Sequence, residues 1–461
     1  MKKTQVDKTH LFETARVPQA VLSLAIPTII SQIISLVYNM ADTFFVGQLG
    51  DPNQVAAVSL VAPMMLVLTA LANLFGIGAA STAARFIGAK KTDSARRATS
   101  FGFYSAMAVA ALLSVLSLFF SDLLLDMLGA VGDMREHAEE YMYWVIGMGA
   151  IPSLLSLVLS HFIRADGAPK TAGFGLSMGG LLNLVLDPIF IFDFGLGMGV
   201  AGAALATFIA NMTTLLYFLR YFYINRKDTA IGLHPRWFTV KKEISGQVLI
   251  IGLPGMLQTL LASVSNAALN QLAKSFGGEA VAALGIVKKI DTIPMSVTIG
   301  IAQGVMPLLG YNYAAKNHMR MRNAAKFALA LAIGFSLFCV AAFIIFAPFF
   351  VRLFIQETIT VAHGIFFLRI MCLSTPMMAV GFHMITLFQA AGESRPALIL
   401  SVFRKGLIDI PLMLLLNLAL PLTGLAFVQP ATELIAMSTA IIFYIRFTRK
   451  ITIQSRPSAR H

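Results

Sequence analysis

About twelve apolar stretches, each some twenty or more residues long, divide this chain, and nothing else in it narrows the possible folds so far. They run approximately 20–48, 54–84, 98–120, 138–163, 170–192, 200–224, 246–273, 281–311, 327–350, 363–390, 397–417 and 424–446. A helix needs about 20 apolar residues to cross the hydrocarbon core of a bilayer, so each run is long enough to be one span. Only 12% of the 461 residues are charged, against about 25% in an ordinary soluble domain. The expected fold class is therefore an all-α integral membrane protein of about twelve transmembrane helices.

The net charge is +13, which in a soluble protein would suggest a nucleic-acid partner. Here the cations sit in short segments between apolar runs, the pattern of the cytoplasmic face of a membrane protein, so nucleic acid is not expected. With the N-terminus inside, the inner segments collect Lys90, Lys91, Arg96 and Arg97, then Arg226, Lys227, Arg236, Lys241 and Lys242, then Lys316, Arg320, Arg322 and Lys326. The tail adds Arg446, Arg449, Lys450, Arg456 and Arg460. Roughly 28 of the 35 Lys and Arg then lie inside. The outer segment between spans three and four is acidic, with Asp122, Asp126, Asp133 and Glu136. An even number of spans places both termini in the cytoplasm. The polar start, Met1 to Arg16, leads into a run too long for a signal peptide and is read as preceding a retained first span.

The chain repeats itself. Pro27 is followed twelve residues later by Asn39, and Pro254 twelve later by Asn266. Val55-Ala56-Ala57 answers Val281-Ala282-Ala283, Gly76-Ile77 answers Gly300-Ile301, Pro152 answers Pro376 and Gly167 answers Gly392. Two pseudo-symmetric six-helix lobes follow: an N-lobe over 1–225, a basic cytoplasmic linker over 226–244, and a C-lobe over 245–461. A parallel repeat of this kind suits a central site between two rocking bundles.

Topology gathers certain polar residues. Asp42 lies about 8 Å from the outer end of span one, at 1.5 Å rise per residue. Asp187 lies at similar depth in span five, Asn183 one turn below it on the same face, and Thr207 about 12 Å down span six. Two carboxylates in a low-dielectric layer repel each other and are starved of water, so such a pair is suited to taking up a proton or binding Na⁺ through oxygens. A second candidate cluster comprises Lys288, Asp291, Arg369 and Glu433, with Lys289 and Asp409 nearby. It reads either as an internal salt-bridge network or as a second coupling or substrate site.

The motifs resemble those of a known family. Tyr38-Asn39-Met40-Ala41-Asp42-Thr43-Phe44-Phe45-Val46-Gly47 is similar to the first-span motif of multidrug and toxic compound extrusion (MATE) transporters. Gln303-Gly304, Pro307 and Gly310-Tyr311-Asn312 resemble a second signature, and Asn183 through Asp187-Pro188 a third. The resemblance covers nearly the whole chain and looks like the bacterial MepA-like and DinF-like branch. It implies export of cationic drugs or dyes in exchange for H⁺ or Na⁺, with Asp42, Asp187 and Asn183 at the matching ion-coupling positions and Thr207 a weaker match. Span seven, Leu257 to Val264, lacks the acid of the NorM-like branch, which argues against a NorM-like cation site in the C-lobe. A flippase of the same superfamily, moving a lipid-linked or amphipathic substrate, is the alternative that Lys288, Lys289 and Arg369 keep open, while Asp42 and Asp187 argue for cations.

Other chemistry finds no support. There is no phosphate-binding loop, His-Glu-x-x-His or nucleophile elbow, so neither an ATP-driven pump nor an enzyme is expected. Cys339 and Cys372 lie in apolar runs without metal-ligand spacing. No organic cofactor is expected. The expected partners are small cationic molecules and membrane lipids, the chain acting as a monomer in the bacterial cytoplasmic membrane.

Overall fold

The computed structural model describes residues 10–454, and these are helical, with no strand among the described residues. Lys2, Lys3 and Lys8 and the tail residues Arg456 and Arg460 lie outside them. The first half contains α1 (Val17–Gly47), α2 (Pro52–Gly88), α3 (Thr92–Phe119), α4 (Ser121–Leu128), α5 (Asp133–Met142), α6 (Ala150–Ala165), α7 (Pro169–Ile191) and α8 (Gly199–Ile224). The second contains α9 (Lys242–Lys274), α10 (Gly278–Ala314), α11 (His318–Arg352), α12 (Thr358–Met371), α13 (Thr375–Ala391), α14 (Ser394–Val402), α15 (Asp409–Ala419) and α16 (Thr423–Gln454).

Among the described residues, ten helices are long and apolar enough to span a bilayer, counting α12 and α13 as one continuous helix over Thr358–Ala391, and eleven if Asp133–Met148 (α5 with the π-helical turn Tyr143–Met148) and α6, bent 47° to each other, are one span. The run at 397–417 differs from expectation. It folds as α14 and α15 joined by a π-helical turn over Phe403–Leu407, which turns Arg404 inward. A run that buries a guanidinium and the Asp409 carboxylate cannot be a plain lipid-facing helix.

Local sequence sets the ends. Asp51 caps α2, accepting from Asn53 N at 2.9 Å, and Glu357 caps α12, accepting from Ile359 N at 2.9 Å and Thr360 N at 2.7 Å. The repeat is written into the backbone at the turns. Gly167 and Gly392, which end α6 and α13, have φ of +81° and +79°. Lys90 and Lys316, in the α2–α3 and α10–α11 turns, have φ of +60° and +61°. Pro27 and Pro254 both lie inside the first long helix of their half.

Packing crosses between the halves symmetrically. α1 lies along α10 as well as α7, and α9 lies along α2. Gly300 and Gly304 of α10 admit the α1 backbone at Ile29 and Leu24, and Gly78 of α2 admits the α9 backbone at Val248. One apolar core is built by residues from Ala57 to Val248, another by residues from Leu269 to Val428. A third joins Phe12 to Ala25 and Ile77 with residues from Val297 to Ile451, and welds the halves at their basic end.

The segment expected as a linker is docked along α3. Tyr104 donates to Leu233 O at 2.9 Å, Gly232 N donates to Thr99 at 3.0 Å, and Arg96 lies over the Trp237 ring at 5.4 Å. Buried Asp166 anchors it, accepting from Thr229 at 2.9 Å and from Tyr221 at 2.7 Å.

Candidate functional site

Three of the four polar residues of the first half are joined by hydrogen bonds, and the fourth, Asp42, lies within electrostatic reach. Asn183 and Asp187 are one turn apart on α7, both buried, and the Asn183 amide donates to Asp187 Oδ1 at 3.0 Å and to Thr207 Oγ1 of α8 at 3.3 Å. Asp42 of α1 is half-buried beside them, its charge acting on Asp187, Tyr38 and Tyr141. Tyr38 comes this close because Gly180 of α7 has no side chain, whose Cβ would stand 2.8 Å from the ring. Pro188 withholds the backbone donor that Leu184 O would otherwise receive, loosening α7 at the site.

Hydrogen bonding here is incomplete on the acceptor side. Asp42 Oδ1, Asn183 Oδ1 and Asp187 Oδ2 are each buried without a partner. Unpaired buried oxygens are costly, and three of them in one place are a donor set for a proton or a small hard cation. A site of three or more His, Cys, Asp or Glu for a structural metal is absent among the described residues.

The second cluster divides. Glu433 is fully buried and clamped by Arg404, whose Nε donates to both carboxylate oxygens at 2.7 and 2.8 Å. Asp291 accepts from the Gln429 amide at 2.7 Å, and Lys288 donates to Gln429 Oε1 at 3.4 Å. Asp409 accepts from Thr432 at 3.0 Å and from Ser265, with Lys405 Nζ at 3.6 Å. Arg369 is not part of this group. It is exposed on α12 and donates to Ile344 O at 3.2 Å. Pro348 inside α11 has no N–H for that carbonyl, and the helix is broken at Phe346, so Arg369 replaces the missing donor.

Arg404 and Lys405 are the members of this group that sequence reasoning misses. The signal is present: two cations and an acid within one apolar run require internal partners.

A cavity of about 650 Å³ lies in the second half, lined by Gln258 and Asn266 of α9, Met306 of α10 and Phe382 of α13 among others, and is closed on one side by Leu66, Asn73 and Ile77 of α2. That is the size of a drug-binding pocket. Its floor is the closed basic end, where Ser81 donates to Gln389 O at 2.6 Å and Gln389 donates to Ile251 O at 3.1 Å. Lys288, Asp291, Arg404 and Lys405 are its charged lining residues.

A two-fold-repeated membrane bundle with a drug-sized cavity in its second half, bordered by α2 of the first, and with buried unpaired acid oxygens in its first half is the architecture of a polytopic membrane transporter. The family model MatE matches residues 27–189 and 254–415, one match in each half, and the chain belongs to that family. It is 31% identical over 441 residues to multidrug export protein MepA of Staphylococcus aureus (strain NCTC 8325 / PS 47), covering 95% of this chain and 96% of the relative. It is 28% identical over 447 residues to the MepA of Staphylococcus saprophyticus, covering 97% and 98%. Among solved structures, a multidrug resistance MATE family transporter of the MOP superfamily in its outward-facing conformation superposes with a TM-score of 0.89 at 27% identity, over 97% of this chain and 99% of that one. A MOP superfamily transporter from Pyrococcus furiosus, for which a reversed polarity of the binding pocket was taken to suggest a different function, gives 0.87 at 28% identity over 98% and 99%.

Proposed function

We propose that this chain is a secondary multidrug exporter that moves organic cations out of the cell in exchange for inward H⁺ or Na⁺. Asp42, Asn183, Asp187 and Thr207 form the coupling site, and the cavity of the second half, closed on one side by α2, carries the substrate. The observation that carries this reading is the Asp187 carboxylate, wholly buried, with one oxygen unpaired beside the equally unpaired Asn183 Oδ1 and Asp42 Oδ1. A proton neutralises this site and a Na⁺ ion satisfies its oxygens, so both ions fit. The printed names of the relatives, multidrug export proteins, support the substrate class.

Exchange requires that ion and substrate each bind one conformation better than the other. The form described here is closed at the basic end, and the similarity to an outward-facing transporter supports reading it as the state open to the outside. The distribution of Lys and Arg supports a bacterial cytoplasmic-membrane location with both termini inside. The chain acts as a monomer and without a cofactor in this scheme.

The test is ethidium efflux from proteoliposomes with ΔpH and ΔNa⁺ imposed separately. Wild type should follow one gradient, and Asp187→Asn and Asp42→Asn should fall to the level of empty liposomes while remaining inserted and folded. Gradient-driven efflux that survives in both variants would remove the coupling role. A well-inserted wild type that moves no dye under either gradient would transfer the weight to a lipid flippase.

A further inference from the structure

Each half is entered through a segment docked at the basic end, and the two segments differ in what they leave uncovered. Ahead of α1, Phe12 is 5% exposed and stacks on Tyr311 at 5.2 Å, and Arg320 spends its N–H groups on Phe12 O and Leu11 O at 2.8 and 3.1 Å. Ahead of α9, Phe238 lies against Phe101 and Tyr104 of α3 at 6.2 and 5.8 Å, yet it is 45% exposed and Val240 is 71% exposed. Tyr104 stands about 18 Å along α3 from Thr92, at 1.5 Å rise per residue, so this apolar edge is carried up beside a spanning helix. The other edge is basic. Arg96 and Arg236 lie over the same Trp237 ring, at 5.4 and 5.1 Å. Two like charges on one indole repel each other. The acid in reach is Asp93, exposed and 3.8 Å from Arg96. Arg236 and Arg97 are exposed, and among the described residues neither has a carboxylate within ion-pair distance, although Asp228 and Glu243 flank the segment. The surface is held in shape from beneath: Gly232 N donates to Thr99, and a Cβ on Gly232 would stand 2.7 Å from Arg96.

We propose that Arg96, Arg236 and Trp237 form a site for the headgroup of an anionic phospholipid, whose acyl chains lie against Phe238 and Val240. A phosphate between the two guanidiniums removes their repulsion and matches their forked N–H groups. Indole rings favour the level of the headgroups, and basic segments beside a span draw anionic lipid. The exposed apolar edge selects a lipid over free phosphate, because only a lipid covers Phe238 and Val240 while its phosphate meets the arginines. A zwitterionic lipid brings its own cation to the phosphate and competes less well. The docking of residues 226–240 thereby gains a purpose that the equivalent segment at Phe12, buried and with its arginine satisfied, does not share. The site stands apart from the exporter reading, since its test needs neither a transported molecule nor an ion gradient.

The chain has two tryptophans, Trp144 and Trp237, so Trp144→Phe leaves Trp237 as the sole reporter, and Trp144→Tyr serves if that variant does not fold. The full-length protein is reconstituted into vesicles of mixed phosphatidylcholine and phosphatidylglycerol, with bromine on the acyl chains of one lipid or the other. Quenching then reads which lipid sits beside Trp237. Phosphatidylglycerol should be favoured about fivefold, the worth of one cation at a membrane surface. Arg236→Gln should reduce that preference to less than about twofold, and Arg236→Lys should keep most of it. In a Trp237→Phe chain, where Trp144 alone reports, the two lipids should quench equally. Equal quenching by the two lipids at Trp237 would overturn the proposal. So would a preference undiminished by Arg236→Gln, or one of the same size at Trp144, which would mean a diffuse field in place of a site.

Discussion

Gly78 of α2 and Gly252 of α9 meet backbone to backbone across the boundary between the halves. A Cβ on Gly78 would overlap Val248 O and stand 3.1 Å from Gly252 N, and a Cβ on Gly252 would overlap Leu74 O. The seal at the basic end depends on this absence of side chains. Gly252→Ala should therefore destabilise the closed basic end by about 1–3 kcal/mol, the usual cost of overpacking. Spin labels placed on α2 and α9 at that end should report a longer mean separation than in wild type. An unchanged distance distribution would show that the backbones give way without opening.

Arg404 and Glu433 should behave as a buried pair. Arg404→Met alone strands a carboxylate, and should cost about 3–5 kcal/mol. Methionine in place of both residues should recover most of that loss, because well-packed apolar groups commonly match a buried ion pair. Thermal unfolding in detergent of the single and double variants checks this. A double variant no more stable than Arg404→Met would mean that the pair is not what the guanidinium supports.

The Arg369 bond to Ile344 O gives a second cycle. Arg369→Met should lower stability by about 1 kcal/mol, the net worth of an ordinary hydrogen bond. In a Pro348→Ala background the same change should cost almost nothing, since the alanine supplies the backbone donor that the proline lacks. Equal losses in the two backgrounds would show that Arg369 does not serve that carbonyl.

Glu357 caps α12 outside the spans, and its carboxyl is held below the ordinary value of 4.5 chiefly by hydrogen bonds from Thr360 and then Ile359. A depressed folded value means that this cap is fully present above pH 4.5 and is lost as the pH falls through the lower folded value. Amide exchange at residues 358–362, corrected for intrinsic rates, should therefore rise on acidification below that range in wild type. In Glu357→Gln it should already be raised at neutral pH and respond less to acid.

The long helices and the repeat were legible in the sequence because both rest on local chemistry. Apolar length dictates a span, and Gly167 and Gly392 mark turns whose φ only glycine adopts readily. The proximity of Asp42, Asn183, Asp187 and Thr207 was legible too, since alternating span direction sets their depth. Rotation about each helix axis was not legible. Arg369 and Glu433 looked alike as charges within apolar runs, yet one faces outward to a proline kink and the other is sealed against Arg404. The broken run at 397–417 was hidden for a related reason. Its Arg404 is neutralised by Glu433 of α16, distant in sequence, and only that pairing makes a π-helical turn worth its local cost. The docking of residues 226–240 on α3 likewise depends on Asp166, Thr99 and Tyr104, all distant in sequence.

The crossed packing of α1 on α10 and α9 on α2 bears on how the protein is made. When a ribosome has delivered only the first half to the membrane, the Gly78 face of α2 and the Leu24–Ala25 face of α1 have lipid where their helical neighbours belong. The N-terminal half is in that sense an unfinished intermediate, and its final shape is settled by residues translated some two hundred positions later. The arrival of α9 and α10 is therefore what completes the packing of the first half, and a chain cut short ahead of them keeps those glycine-lined faces open.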